Sequence, residues 1–263
     1  MDSEDRTATR QPATVAGGEG PPAVFAWLVH LFTASGAVLA LLALIEVDRA
    51  RWHWALFWLF VAVVVDGIDG TFARWARTRE RAARIDGDTL DLVVDYLTYV
   101  FVPTIFIWRA GLVPADHAPW LAAAIQFSSL YLFARRDMKT DDNYFRGFPA
   151  LWNIVAFYLF VIDGTPLTGL FVVALLVALT FAPVHFVHPF RVRDYGKWLP
   201  LITTVWAVST VSLLWLGPPS TARSVCLTVS VATAAILLLL GVVRSVRGPR
   251  EAAPGDRLTS RPR

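Results

Sequence analysis

Cysteine is almost absent from this chain: Cys226 is the only one among 263 residues. No disulfide framework can brace the fold, and no cysteine cluster is available for zinc or redox chemistry. Charge is scarce as well. Asp, Glu, Lys and Arg make up 17% of the residues, against about 25% in ordinary soluble domains. The sequence holds no Gly-x-Ser-x-Gly turn, no Walker-type phosphate loop and no internal repeat, so nothing in it supports a nucleophile-elbow hydrolase, a P-loop ATPase or a solenoid. The net charge of +3 and pI near 9.3 do not indicate a nucleic-acid partner, because the basic residues are dispersed among hydrophobic segments and form no single soluble face.

What the chain has in place of charge is long apolar runs. Hydrophobic residues make up 56% of it, and its mean hydropathy is +0.51. A helix needs about 17–25 residues to cross a hydrocarbon core of about 30 Å. Apolar stretches over 24–47, 53–73, 89–109, 118–135, 149–163, 167–187, 197–216 and 223–244 predict about eight transmembrane helices, hence an all-α integral membrane protein. The fifth is the shortest. Gly and Pro in "GLVP", "DGTP", "HPF" and "LGPP" punctuate the intervals as turn chemistry requires. Residues 1–23 and 246–263 read as a disordered N-terminal tail and a basic C-terminal tail around one transmembrane domain over 24–245. The stretch 24–47 lacks a small-residue cleavage site and reads as a retained helix.

Orientation follows from the basic residues. With eight spans and a cytoplasmic N-terminus, 20 of the 24 Lys and Arg fall on the cytoplasmic side, leaving only Arg49, Arg51, Arg109 and Arg223 on the other. Both termini are therefore expected in the cytoplasm, together with the most unusual part of the sequence.

That part is the run from Val63 to Phe101, which carries Asp66, Asp69, Asp86, Asp88, Asp91 and Asp95 between membrane-grade segments. Asp66 and Asp69 are three apart at the end of the second span; Asp91 and Asp95 are four apart at the start of the third. Each spacing puts two carboxylates on one helical face. A short connection makes the two helices antiparallel neighbours, so all four groups can meet at one depth. Carboxylates gathered at low dielectric repel strongly and need cations. Hard oxygen ligands suit Mg²⁺, Mn²⁺ or Ca²⁺, and four of them can hold two ions about 3.5–4 Å apart. Gly67, Gly70 and Gly87 stand beside these carboxylates although glycine costs a helix about 1 kcal/mol relative to Ala; small residues let a phosphate approach closely. Ala73 extends the small face from Gly70, and Arg74 can offer a planar fork to phosphate. Asp86 and Asp88 read differently, as solvated or helix-capping residues. His185 and His188, three apart, read as interfacial residues, for want of an accompanying Cys or acidic motif.

The pattern "DGIDGTFAR…GDTLDLVVD" resembles the CDP-alcohol phosphatidyltransferase family, whose motif is D-x-x-D-G-x-x-A-R followed by G-x-x-x-D-x-x-x-D. Asp66, Asp69, Gly70, Ala73, Arg74, Gly87, Asp91 and Asp95 fill every fixed position. The spacer between Arg74 and Gly87 is about one helical turn longer than is usual in the family. Within the family, "HLFTASG", "DGDTLDLVVDYLTYVFVP" and "DNYFRGFPALWN" resemble the bacterial members that join choline to CDP-diacylglycerol. The resemblance implies a six-helix family core and a site facing the cytoplasm from a bacterial inner membrane, and relatives suggest a homodimer. It implies that a hydroxyl attacks the β-phosphorus of a CDP-linked lipid and expels CMP with two Mg²⁺ or Mn²⁺ ions, held by Asp66, Asp69 and Asp91, with Asp95 as general base and further metal contact. Asp69, Gly70, Ala73, Arg74 and Gly87 would line the cytidine-diphosphate pocket.

Choline is a fixed cation, for which aromatic faces are the natural receptor. Tyr96, Tyr144, Phe145 and Trp152, near the catalytic end, are the cage candidates, while Asn143 and Arg146 suit substrate phosphate or loop structure equally. Two rivals stand beside this reading. One is the same chemistry with serine or another alcohol as acceptor, which Arg135, Arg136, Arg191 and Arg193 leave open for a phosphate-bearing alcohol. The other is a divalent-cation transporter, which would place acids at the bilayer middle on several helices and not at one rim.

Overall fold

The computed structural model describes residues 22–248 apart from 83, 190, 193 and 218. Most of both tails, and Arg193, lie outside the described residues. The described chain is mainly helical: α1 (Ala23–Asp48), α2 (Trp52–Ala76), the short α3 (Thr78–Arg81), α4 (Gly87–Asp95), a π-helical segment (Tyr96–Phe101), α5 (Val102–Arg109), α6 (Ala118–Ala134), α7 (Trp152–Ile162), α8 (Pro166–Phe181), α9 (Trp198–Trp215) and α10 (Thr221–Arg247). α4, the π segment and α5 run on as one rod, Gly87–Arg109. Eight rods thus stand where eight apolar stretches were expected. Five are long and apolar enough to cross a membrane, and three, Ala118–Ala134, Trp152–Ile162 and Pro166–Phe181, are shorter.

The differences from the sequence expectation lie in the shorter rods. The stretch 149–163 becomes a helix only from Trp152, because the preceding segment bonds elsewhere: the Gly147 N–H donates to the Val184 carbonyl (2.7 Å) and the Phe148 N–H to Leu179 (3.1 Å). The stretch 167–187 stops being helical at Phe181. Beyond it, β2 (His185–Phe186) pairs antiparallel with β1 (Phe145–Arg146), Phe145 opposite Phe186 and Arg146 opposite His185. Gly147 makes the junction possible. Its φ is +84°, and a Cβ there would sit 2.3 Å from the Thr180 carbonyl oxygen, a combination open only to glycine.

The core forms where α2, the Gly87–Arg109 rod, α6, α7 and α9 meet, around Leu56, Val100, Phe106, Ile107, Ile125, Leu132, Trp152 and Leu213, all nearly inaccessible. α1 lies along α2 through small residues: Ala26, Ala40 and Ala43 are buried, as are Ala55 and Ala62. Small faces let helices approach closely where lipid offers no hydrophobic drive to associate. Pro103 explains the π segment: a proline in a continuing helix removes a donor and crowds the carbonyl four residues back, here that of Tyr99. The chain answers with a wider turn, a distortion that recurs at functional sites and here follows directly after Asp95.

Candidate metal and substrate site

α2 brings Asp66 and Asp69 to its last turns. α4 begins at Gly87 because Asp86 caps it: its Oδ1 accepts the Asp88 and Thr89 N–H groups (3.1 and 3.2 Å), and its Oδ2 accepts the Thr89 hydroxyl (2.8 Å). The Thr89 hydroxyl, then the backbone N–H bonds, hold the Asp86 carboxyl below its usual range. Asp88 pairs instead with Arg79 at 2.6 Å. With the cap fixed, Asp91 and Asp95 fall on the α4 face toward α2.

Asp66, Asp91 and Asp95 each bring one carboxylate oxygen into a group whose atoms all lie within 4.8 Å of one another. It is the only such cluster of three or more potential metal ligands among the described residues; His185 and His188 do not join it. Each pair of charges at such a distance repels by about 3 kcal/mol at an effective dielectric near 20. Asp95 Oδ1 is buried with no hydrogen-bond partner, which carboxylates rarely tolerate. An orphaned oxygen inside a crowded acidic group is the arrangement that a divalent cation completes, so these residues fit Mg²⁺ or Mn²⁺.

Asp69 stands outside that trio. It is 6% exposed, lies beside the Thr33 hydroxyl of α1 and feels Asp66 and Arg191. The structure also supplies a residue that the sequence reading missed: the Tyr99 hydroxyl, from the π segment, donates to Asp66 Oδ2 at 2.7 Å. Tyr99 follows Asp95 by four positions, a spacing that could have suggested it.

The other residues singled out by sequence divide by environment. Gly70 and Ala73 are half-buried and Arg74 is exposed, its Nη2 donating to the Thr71 hydroxyl at 3.1 Å. Gly87 packs on His30 of α1, whose ring carbon Cε1 would lie 3.0 Å from a Cβ at that position. Tyr96 donates its hydroxyl to Gln126 Oε1 and meets Phe133 edge-on. Phe145 is half-buried, with the His188 ring stacked parallel at 5.4 Å and Lys139 Nζ 4.9 Å from its centroid. Tyr144 and Trp152 are wholly enclosed. The Tyr144 hydroxyl donates to Asp194 Oδ2 at 3.0 Å and Arg244 covers its ring, while Trp152 Nε1 donates to Ser129 Oγ at 2.9 Å. Neither leaves a free face for a ligand. Asn143 takes a turn conformation at φ +65°, and Arg146 reaches Asp137 at 3.4 Å.

Comparison with protein families matches residues 24–184 to the one described as CDP-alcohol phosphatidyltransferase. This chain belongs to the CDP-alcohol phosphatidyltransferase family. Among curated relatives it is 46% identical over 193 residues to a phosphatidylcholine synthase of Pseudomonas aeruginosa, covering 73% of this chain and 81% of that one. It is 44% identical over 215 residues to the phosphatidylcholine synthase of Bradyrhizobium diazoefficiens, covering 81% of this chain and 77% of the relative. With that of Rhizobium meliloti the identity is 38% over 224 residues, covering 84% and 91%.

Proposed function

We propose that this protein transfers the phosphatidyl group of CDP-diacylglycerol to the hydroxyl of choline and releases CMP. The observation that carries the chemistry is the meeting of Asp66, Asp91 and Asp95 oxygens from two adjacent helices within 4.8 Å; the choice of choline rests on the likeness to phosphatidylcholine synthases. Asp66, Asp69 and Asp91, with Asp95, would hold two Mg²⁺ or Mn²⁺ ions, which supply neutralisation of the diphosphate and of the departing CMP. Asp95 Oδ1, buried and unpartnered, takes the proton of the choline hydroxyl as its oxygen forms a bond to the β-phosphorus and the bond to CMP breaks. Position matters more than basicity for a carboxylate beside cations. Gly70, Ala73, Arg74 and Gly87 line the nucleotide side. Of the four aromatic candidates, Tyr96, next to Asp95 in the chain, is the ring open to choline; Phe145 already carries Lys139 and the His188 ring, and Tyr144 and Trp152 support the site from within the protein.

In this reading the three shorter rods also cross the bilayer, giving eight spans around a six-helix family core formed by residues within 24–245. The site faces the cytoplasm of a bacterial inner membrane, so the lipid donor never leaves the bilayer and the polar acceptor arrives from solution. A homodimer is the assembly we favour, from the likeness to relatives. The deciding experiment supplies purified protein with CDP-diacylglycerol, Mg²⁺ or Mn²⁺, and choline, serine, glycerol phosphate or an inositol phosphate in turn, with CMP release measured. Choline should support turnover; release with serine and none with choline would reassign the acceptor.

A further inference from the structure

Two cations that the family motif does not contain are brought to the acidic site by the β-ribbon. Residues 138–146 form a hairpin, Thr140 N–H to Tyr144 O at 2.8 Å and Arg146 N–H to Met138 O at 2.9 Å, and Lys139 bridges to Phe145. The β1–β2 pairing joins this hairpin to the segment that follows α8. There the His188 carbonyl accepts the Arg191 N–H at 3.4 Å, closing the turn that presents Arg191.

This platform is anchored from below. Asp142 holds Arg244 of α10 through two contacts, at 2.7 and 3.3 Å. The His185 N–H donates to Ser245 Oγ at 2.7 Å. Gly241 lets α10 approach so closely that a Cβ would lie 2.3 Å from the His185 carbonyl oxygen.

The platform places Lys139 half-buried over Phe145, and Arg191 at the mouth beside α2. A Cβ on Gly70 would lie 3.5 Å from Arg74 Nη1 and 3.8 Å from Arg191 Nη2. The bare Gly70 is therefore the floor between two guanidinium groups. Lys139 acts electrostatically on Asp66, Asp91 and Asp95, and Arg191 on Asp69, Asp91 and Lys139 itself. Burial, and then Lys139 and Arg191, push the His188 imidazole down to about 3. It therefore stacks on Phe145 as a neutral ring and adds no third charge.

Lys139 and Arg191 repel each other electrostatically, and an anion between them relieves that. The aspartates can serve that purpose only while no divalent ion takes them up. A diphosphate diester carries two negative charges, the complement of one ammonium and one guanidinium. Choline is itself a cation and offers them nothing.

We propose that Lys139 and Arg191, together with Arg74 across Gly70, grip the diphosphate of the donor lipid, and that the β-ribbon exists to deliver them opposite the aspartates. This rests on the donor assigned above and is independent of which alcohol accepts. Both are substrate-binding residues, and neither is needed to receive the acceptor proton.

The test measures equilibrium binding of CDP-diacylglycerol to the full-length protein in nanodiscs with Mn²⁺ and no acceptor present. Arg191→Gln and Lys139→Met should each weaken donor binding at least tenfold, and Arg191→Lys and Lys139→Arg should recover much of it, since the charge and not the packing is what the phosphate needs. Binding to the wild type should fall as salt is raised, and the neutral variants should show a shallower dependence. In turnover, KM for the donor should rise while KM for choline holds.

Mn²⁺ affinity and the thermal midpoint, measured on the same samples, separate this from misfolding; Arg191 is exposed, so its variants provide the arm least subject to folding defects. Unchanged donor affinity in folded Arg191→Gln, or a rise in acceptor KM alone, would overturn the proposal. If choline proved not to be the acceptor, the donor-binding arm would read as before, so the two failures are distinguishable.

Discussion

Replacing Asp95 by Asn should change the protein's stability in opposite directions with and without divalent metal. Asp95 is one of three carboxylates whose oxygens lie within 4.8 Å, so without metal it must either repel its neighbours or take up a proton to avoid doing so. The amide escapes both costs, which are bounded by the two repulsive pairs it deletes. At an effective dielectric of 20 each is worth about 3 kcal/mol, an upper figure because side chains relax and water reaches the rim. A realised gain of about 1–3 kcal/mol in the metal-free protein is the reasonable expectation, and the amide is isosteric. For a chain of this size about 1 kcal/mol moves the midpoint by about 2–4 °C. Asp95→Asn in EDTA should therefore melt several degrees above the wild type. In saturating Mn²⁺ the order should reverse, because the wild type gains RT ln(1 + [L]/Kd) from binding and the variant has lost a ligand. Turnover should fall by at least about 10²-fold, the contribution typical of a positioned acid or base. The assay is a pair of melting curves on one preparation in nanodiscs, with CMP release measured alongside. A variant less stable than the wild type in EDTA, or one with near-normal turnover, would show that the carboxylates are not held together by a shared cation.

Tyr99→Phe removes the donor to Asp66 Oδ2 and leaves the ring in place; Mn²⁺ affinity should drop by about 10-fold, as for other partners that orient a ligand, which titration with Mn²⁺ would detect. Asp86→Ala should lower the melting temperature by uncapping α4, and Asp86→Asn should largely restore it. The Asp86 carboxyl is depressed below 3.8 in the folded protein, so the advantage of the charged cap is complete above the unfolded value and disappears as pH falls through the folded one. Melting curves taken between pH 5 and pH 3 should therefore converge for wild type and Asp86→Asn. Trp152→Phe loses the bond to Ser129 and core volume, at a cost of about 1–3 kcal/mol, yet KM for choline should hold; a large rise in that KM would return Trp152 to the acceptor pocket.

Three of the four carboxylates expected to meet, Asp66, Asp91 and Asp95, come together because their positions depend largely on local periodicity; Asp69, though three residues from Asp66, does not join them. Spacings of three and four fix a shared helical face whatever the rest of the chain does, and a short connection forces the two helices together. Apolar runs located all eight rods for the same reason. What periodicity could not supply was anything formed across long separations. The segments that carry Lys139 and Arg191 are joined only because Phe145 and Phe186, far apart in the chain, pair in register. The burial of Trp152 and Tyr144 was equally invisible: an aromatic ring near an interface looks the same in sequence whether it faces a ligand or a neighbouring helix. The boundary errors at 149–163 and 167–187 share one origin, since an apolar extended segment buried by the protein is as hydrophobic as a helix.

Those short helices bear on how the site is built. At 1.5 Å per residue, the 11 residues of α7 span only about 17 Å and the 16 of α8 about 24 Å, less than a hydrocarbon core of about 30 Å. In the eight-span reading proposed above, the missing length is made up by segments that are not helical. Gly147, Phe148, Pro149 and Ala150, just before α7, are all buried, and the ribbon lies beyond the end of α8. Non-helical backbone is tolerated at such depth only where protein encloses it or it lines a polar cavity. Here α8 and the segment just after it enclose it, through the Phe148 N–H to the Leu179 carbonyl and the Gly147 N–H to that of Val184. Ending two helices early leaves room for the β1–β2 ribbon, which flanks Lys139 and Arg191 in the chain. Two uninterrupted spans could present side chains there only at helical spacing, and could not set Arg191 beside Gly70 of α2 with Lys139 on a separate loop of the same ribbon. The shortness of α7 and α8 is on this argument a requirement of the substrate site, and filling out α7 by a turn at its N-terminus should cost donor binding before it costs insertion into the membrane.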